Sequence, residues 1–135
     1  MKSIGARLVA AFSQGRKGKR AKYGNTRIQS EDGQFDSKAE YRRWCDLKLL
    51  ERAGKIHDLK RQVRYTLCVQ SMGEEGQGSE ITIGQYVADF VYILNDGELG
   101  KQVVEDVKGH RTQLFIWKKK HMKAQYGIEI VEVKA

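Results

Sequence analysis

Two short apolar segments of the chain each carry acidic residues whose spacing suggests metal chemistry. Asp106 and Lys108 lie two positions apart in the segment Val104–Gly109, so in a strand both side chains fall on one face. Upstream, Asp89 interrupts the apolar run Tyr86–Val91. An acid inside such a strand is costly unless it is paired or binds a cation. The pattern therefore predicts a metal-dependent site that acts on phosphodiesters.

The turn signal Asn95-Asp96-Gly97 between these segments predicts a hairpin that brings Asp89 close to Asp106. Neighbouring carboxylates repel unless a divalent cation lies between them, and oxygen ligands favour Mg²⁺ or Mn²⁺. Such an ion activates a bound water, and Lys108 would orient that water or stabilise the developing charge. The simpler alternatives are a structural salt bridge at Asp89 and a cross-strand ion pair at Asp106.

Three further polar residues are candidates for the same site. Glu40 is the third residue of a capping box that begins at Ser37, and it also lies on the helix stripe that faces the sheet. It would cap the helix, complete the metal site, or do both. Gln62 would hydrogen-bond the scissile phosphate or the attacking water, or be a satisfied edge amide. Glu105 is expected to be a surface acid, although it adjoins Asp106.

Basic residues are concentrated in two tracts that contain no acid, residues 1–30 and residues 108–123. Residues 1–30 carry eight Lys and Arg side chains, which equals the net charge of +8 of the protein. Such tracts favour a polyanionic partner, here nucleic acid, over a solvated tail and a solvated helix face. The N-terminus of a helix also favours phosphate. The residues predicted to contact phosphates are Arg16, Lys17, Lys19, Arg20, His110, Arg111, Thr112, Lys118, Lys119 and Lys120.

The elements that must position these residues follow from periodicity and capping signals. A helix is predicted from Ser37 to a stop at Gly54, and a second from a cap at Thr112 to a stop at Gly127. Strands are predicted over about 62–69, 81–94, 102–108 and 128–133. A hairpin followed by a crossover through the second helix implies a mixed sheet in an α/β sandwich. We divide the chain into a basic N-terminal arm, 1–35, and a domain, 36–135.

Several function classes are disfavoured by what the sequence contains. No apolar run approaches the roughly 20 residues of a membrane span, so we expect a cytoplasmic protein without a membrane partner. Cys45 and Cys68 are isolated, and the three histidines lack zinc-site spacing. No phosphate-binding glycine motif is present, so no nucleotide cofactor is expected.

The residues above resemble the PD-(D/E)xK superfamily of restriction-endonuclease-like nucleases. The resemblance covers roughly 37–133, and its core order of one helix, three strands, a helix and a strand matches the predicted order. Asp89, in Val-Ala-Asp-Phe, resembles the family's first acid, with Ala88 in place of the usual proline. Asp106-Val107-Lys108 resembles the (D/E)-x-K element, in which the main-chain carbonyl of the middle residue often binds metal.

The resemblance also extends to the helix glutamate, Glu40, and to a glutamine near the first core strand, Gln62. It implies a Mg²⁺-dependent endodeoxyribonuclease, of the small phage-encoded kind related to Holliday-junction resolvases, with Mn²⁺ as a substitute ion. Junction cleavage would require paired cuts, so a homodimer bound to DNA is expected. The alternative is a non-catalytic nucleic-acid-binding accessory protein on a nuclease scaffold, which would not require the two acids and the lysine.

Overall fold

The computed structural model describes residues 26–73, 78–97 and 100–135 and has an α/β fold. The predicted order of helix, three strands, helix and strand is confirmed, and a short hairpin precedes it. The elements are β1 (Ile28–Ser30), β2 (Gly33–Phe35), α1 (Lys38–Arg52), β3 (Ile56–Gln70), β4 (Glu80–Leu94), β5 (Lys101–Lys108), α2 (Gln113–Tyr126) and β6 (Val131–Lys134). In the described part of the chain, neither helix is long and apolar enough to cross a membrane.

The main sheet has four strands in the order β3-β4-β5-β6. β3 and β5 are both antiparallel to β4, and β6 runs parallel to β5. The mixed sheet expected from a hairpin followed by a helical crossover is therefore confirmed. β3 begins at Ile56, six residues earlier than the first strand predicted from the sequence, and β6 begins at Val131.

Both helices begin and end where local signals predicted. The Ser37 side chain accepts from the Glu40 amide at 3.1 Å, and the Thr112 side chain accepts from the Phe115 amide at 3.1 Å. These bonds satisfy amides that have no partner within the helix. At the other ends, Gly54 and Gly127 have left-handed φ values of 71° and 66°, which glycine adopts without steric cost.

Two apolar cores lie on the two helix sides of the sheet. The α1-side core contains Phe35, Trp44, Leu47, Ile56, Phe90 and Tyr92. The α2-side core contains Leu67, Tyr86, Ala88, Val91, Val104, Phe115, Met122 and Ile130. The sheet is thus covered by one helix on each side, which is why β4 is apolar on both faces.

The middle of β4 departs from simple alternation. A strict two-residue period would put Tyr86, Ala88, Phe90 and Tyr92 on one face, but the first two pack in the α2-side core and the last two in the α1-side core. The change falls at Asp89, which lies opposite Gln62 of β3. Gln62 has a left-handed φ of 51°, which breaks the two-residue period of β3 at the same point. The β3–β4 ladder pairs the residues on either side of Gln62 and Asp89 but does not pair Gln62 with Asp89.

The β1–β2 hairpin, which the sequence analysis assigned to the arm 1–35, packs against the domain. Phe35 is fully buried, and its ring lies 5.1 Å from that of Tyr41. The Arg61 guanidinium lies 3.6 Å from the Phe35 ring and donates to the backbone oxygens of Asp32 and Gln34. The folded domain therefore includes residues 28–35. Arg16, Lys17, Lys19 and Arg20 lie outside the described residues.

Side chains from the end of α2 cover part of the outer edge of β3. Gln125 accepts from the Cys68 amide at 2.8 Å and donates to the Thr66 carbonyl at 3.1 Å. The Tyr126 hydroxyl donates to the same carbonyl at 2.6 Å. Backbone groups that an edge strand would leave unpaired are thereby satisfied.

Candidate functional site

The candidate site lies where β4 and β5 diverge. Their ladder of paired residues ends at Phe90 and Glu105, one step before Asp89 and Asp106 would face each other. Beyond that point the Asp89 carboxylate accepts from the Val107 amide at 2.8 Å, through Oδ2. A side chain thus takes the place that a backbone carbonyl would have in a continued ladder. The expected proximity of the two acids is confirmed at this fork.

Asp106 is only 3% exposed, and each of its two carboxylate oxygens lies close to a protein group. Its Oδ2 accepts from the Tyr86 hydroxyl at 2.9 Å, and its Oδ1 lies 2.8 Å from Nζ of Lys108. The ammonium approach is close enough for an ion pair but is not aligned as a hydrogen bond. Oδ1 is therefore a buried oxygen that accepts no hydrogen bond from the described part of the chain, and such an oxygen has capacity for a further ligand.

Glu40 and Gln62 reach the same fork from α1 and β3. The Gln62 amide nitrogen lies 3.1 Å from Oε1 of Glu40 and 3.4 Å from Oδ1 of Asp89. The other Glu40 oxygen, Oε2, accepts from the Asp36 amide at 3.1 Å. Glu40 therefore belongs to the helix cap and to the site at once. Five candidates from the sequence, namely Glu40, Gln62, Asp89, Asp106 and Lys108, are brought together, and Val107 joins them through its amide.

Burial and mutual repulsion perturb the acids of this cluster. Burial, with the nearby charge of Asp106, raises the pKa of Asp89 to about 7, although the Val107 hydrogen bond opposes the shift. Burial also raises the pKa of Glu40, and the hydrogen bond from the Asp36 amide counteracts it. The pKa of Tyr86 is raised by burial and then by the Asp106 charge, so its hydroxyl stays a donor. Strongly perturbed acids in a cleft are typical of functional sites.

The donor set fits one kind of metal site. Asp89 and Asp106 offer carboxylate oxygens, one of them the buried Oδ1 without a hydrogen bond. Mg²⁺ is usually bound through one or two carboxylates, with waters and substrate phosphates completing the octahedron. Within residues 26–73, 78–97 and 100–135 no three His, Cys, Asp or Glu side chains are placed to hold a metal together. The residues therefore fit a two-carboxylate Mg²⁺ site and not an all-protein cage.

A groove of about 610 Å³ adjoins the fork at Val107 and Lys108. It runs past Gly109 and His110 to the first residues of both helices, at Lys38 and Thr112. Helix N-termini carry partial positive charge, and two lysines line the same groove. The groove is therefore electrostatically suited to an anionic chain that passes the acid cluster.

The basic residues at α2 differ in their surroundings. Lys119 and Arg111 each pair with Glu132 of β6, at 2.7 Å and 2.8 Å. The hydrogen bond from Lys119 is the main cause that lowers the pKa of Glu132. Sequence reasoning did not find this acid, which neutralises part of the predicted cationic surface. Lys120 is exposed and Lys118 half-buried, and their contact with phosphate stays a prediction.

Four polar residues next to the site have contacts that the sequence did not predict. Glu105, expected at the surface, is 1% exposed and forms two hydrogen bonds to Arg43, at 2.6 Å and 2.8 Å. The Tyr92 hydroxyl donates to it at 2.5 Å. A strict two-residue period puts Tyr86 on the face opposite Asp89, so the sequence gives no sign of the bond between Tyr86 and Asp106. In the sequence, only the apolar residues around Glu105 in β5 indicate that this acid is buried.

Comparison with known proteins adds a family but no named activity. Neither the curated proteins nor the solved structures include a match to this chain. The family model described as "Protein of unknown function (DUF1064)" matches residues 20–134, which include every residue of the fork. The chain therefore belongs to the DUF1064 family.

Proposed function

We propose that this protein is a Mg²⁺-dependent endodeoxyribonuclease with a PD-(D/E)xK-type site at the β4–β5 fork. The observation that carries the proposal is the joint placement of Asp89, Asp106 and Lys108, with Nζ of the lysine 2.8 Å from a buried carboxylate oxygen. A protein that only binds DNA gains nothing from placing a buried acid and a half-buried acid beside a polyanion. Such acids are useful where a cation must be held against a phosphate.

Asp89 and Asp106 would hold the ion, and Glu40 and the Val107 carbonyl would support it, as the resemblance implies. The bound ion would supply Lewis-acid polarisation of the phosphate and lower the pKa of a coordinated water. Mn²⁺ has similar ligand preferences and is the expected substitute.

Lys108 has two roles in this proposal. Its ammonium group orients the attacking water and balances negative charge that develops on the non-bridging phosphate oxygens. Gln62 holds Glu40 and Asp89 in place through one amide. The water oxygen bonds to phosphorus in line with the P–O3′ bond. That bond breaks, the attacking water gives up one proton to the solvent, and the 3′ oxygen takes one up, which leaves a 3′ hydroxyl and a 5′ phosphate.

The substrate is proposed to be DNA whose backbone lies in the groove beside Lys108. The basic tract of residues 1–30 would add sequence-independent contacts to phosphates. Branched DNA, such as a four-way junction, is the favoured structure on the resemblance, and paired cuts would need a homodimer. Sedimentation of the protein alone and with a junction tests that assembly.

The test is cleavage of a supercoiled plasmid and of a four-way junction by the purified full-length chain in Mg²⁺, Mn²⁺ or EDTA. We expect cleavage with either ion and none in EDTA. Asp106→Ala and Lys108→Ala should each lower the rate by at least about 100-fold and leave DNA binding nearly intact. Lys101→Ala, an exposed lysine at the other end of β5, is the matched control and should cleave normally.

Two outcomes would reject the proposal. Full cleavage by both site variants would separate the activity from the fork. DNA binding without cleavage under every ion condition would favour the accessory-protein alternative.

A further inference from the structure

Each acid of the fork has one carboxylate oxygen engaged by a protein donor. Oδ2 of Asp106 accepts from the Tyr86 hydroxyl at 2.9 Å, and Oδ2 of Asp89 accepts from the Val107 amide at 2.8 Å. The two Oδ1 atoms remain. That of Asp106 accepts no hydrogen bond from the described residues but lies 2.8 Å from Nζ of Lys108, and that of Asp89 has the Gln62 amide at 3.4 Å. The carboxylates are therefore oriented before any ion arrives.

We propose that Tyr86 is a positioning residue that limits Asp106 to one-oxygen coordination and so makes the site select Mg²⁺ and Mn²⁺ over Ca²⁺. The inference rests on the proposed metal-dependent function and adds to it a determinant of ion choice. Tyr86 itself touches neither the ion nor the DNA in this scheme, because its hydroxyl acts through the Asp106 carboxylate.

Ion chemistry gives the physical reason. Ca²⁺ takes six to eight oxygen ligands, often including carboxylates that bind through both oxygens, whereas Mg²⁺ requires a compact octahedron with short bonds. A carboxylate with one oxygen engaged by a hydrogen bond binds an ion most readily through the other oxygen, and one such ligand suits the smaller ion. Two such carboxylates at one fork deny Ca²⁺ the larger shell that it prefers.

The Tyr86 contact is rigid enough to enforce this geometry. The residue is 3% exposed, packs in the α2-side core and stacks on Tyr65 with ring centroids 6.3 Å apart. Rotation of Asp106 that withdraws Oδ2 from Tyr86 would leave a buried hydroxyl without a partner, which is costly. The corresponding contact at Asp89 comes from the backbone, so Tyr86 is the one of the two that substitution can remove.

The experiment compares Mn²⁺ and Ca²⁺ affinities of the full-length chain without DNA. Mn²⁺ binding is followed by loss of the free-ion EPR signal, and Ca²⁺ binding by competition. In the unaltered chain we expect Mn²⁺ to bind at least about 10-fold more tightly than Ca²⁺. Tyr86→Phe should weaken Mn²⁺ binding by about 10-fold, the usual effect of removing such an outer hydrogen bond, while Ca²⁺ affinity stays unchanged or rises.

Tyr92→Phe is the matched control. It removes another buried tyrosine hydroxyl from β4 that donates to an acid of β5, here Glu105, so it causes a comparable loss of packing and hydrogen bonding. It should leave the ratio of the two ion affinities unchanged. Thermal unfolding of both variants measures any shared structural effect.

The outcomes separate this inference from the proposed function. Equal weakening of both ions in Tyr86→Phe, or an unchanged ratio, would overturn the role of Tyr86 while leaving the nuclease proposal standing. Unaltered protein that binds Ca²⁺ as tightly as Mn²⁺ would overturn it without any variant. Failure of the unaltered protein to bind either ion would overturn the role of Tyr86, and the plasmid cleavage test in Mg²⁺ would then decide separately on the nuclease proposal.

Discussion

At the scale of single residues, Gln62 shows how a local irregularity serves the site. Its left-handed φ of 51° is unfavourable for a residue with a side chain, yet that backbone lets the amide reach both Glu40 and Asp89. Strained residues of this kind concentrate at functional sites. Sequence reasoning proposed Gln62 for the site but had no signal for its conformation, because glutamine gives no hint of positive φ.

The strain at Gln62 can be measured by comparing two substitutions. We expect Gln62→Gly to be more stable than Gln62→Ala by about 0.5 to 1 kcal/mol, since only glycine adopts this φ freely. Urea unfolding measures the difference. At Arg64, an exposed position two residues along β3, the order should be reversed. An alanine variant of Gln62 as stable as the glycine variant would contradict the strain.

The raised pKa of Asp89 predicts a pH-dependent stability. Without metal, this acid stays protonated in the folded chain up to about pH 7 but ionises near 3.8 when unfolded. Stability that is present below pH 3.8 is therefore lost as the pH rises through 7. In EDTA at pH 8, the free energy of unfolding of Asp89→Asn should be about 1 to 3 kcal/mol higher than that of the unaltered chain. This difference should shrink towards pH 4.

The control for this comparison is Asp96→Asn, an exposed acid outside the site. Its stability relative to the unaltered chain should not change across the same pH range. A difference for Asp89→Asn that is flat with pH would contradict the assigned pKa.

At the scale of elements, a buried ion pair fixes α1 against the sheet. Arg43 binds Glu105 through two hydrogen bonds, and Glu40 lies three residues earlier on the same helix. The position of the Glu40 carboxylate at the fork therefore depends on how Arg43 anchors the helix to β5. The side chains of the pair are 26% and 2% exposed, so the acid in particular has little access to water.

Removal of one partner should be more harmful than removal of both. Arg43→Met is expected to lower the free energy of unfolding by about 3 kcal/mol, because Glu105 would stay buried without its counter-charge. The double variant Arg43→Met with Glu105→Leu should recover most of that loss. Arg42→Met, an exposed neighbour on the helix, should have little effect in the same urea titrations. A double variant no more stable than the single one would contradict this account.

The elements themselves were largely predictable, because their signals act over a few residues. Ser37 and Thr112 begin the helices, glycines end them, and the proximity of Asp89 to Asp106 followed from the hairpin between their strands. The contacts of Tyr86 and Arg43 were not predictable, since they join residues far apart in sequence across strands. The change of face in β4 between Ala88 and Phe90 was not predictable either, because simple alternation puts both residues on the same face.

At the scale of the whole molecule, charge is separated along the chain. Residues 1–30 carry the entire net charge of +8, while residues 31–135 have equal numbers of basic and acidic side chains. Binding to a polyanion should therefore depend heavily on the N-terminal segment. Cleavage by the acids proposed to be catalytic, Asp89 and Asp106, should not depend on that segment.

Deletion of residues 1–20 tests this separation, since it removes six of the basic side chains. The slope of log Kobs for DNA binding against log salt should become shallower by about 0.9 for each phosphate that the protein no longer neutralises. The cleavage rate at saturating DNA should change little. Full-length protein with those six residues changed to glutamine should match the deletion, and an unchanged salt slope in both would contradict the assignment.

The side chains of Gln125 and Tyr126 on the Thr66–Cys68 stretch of β3 affect how copies of the chain meet. An incoming strand that tried to lengthen the sheet at this stretch would first have to displace three hydrogen bonds. Amyloid-like stacking is discouraged there for the same reason. Any productive pairing of two copies is therefore expected to involve side-chain surfaces and not strand addition along Thr66–Cys68.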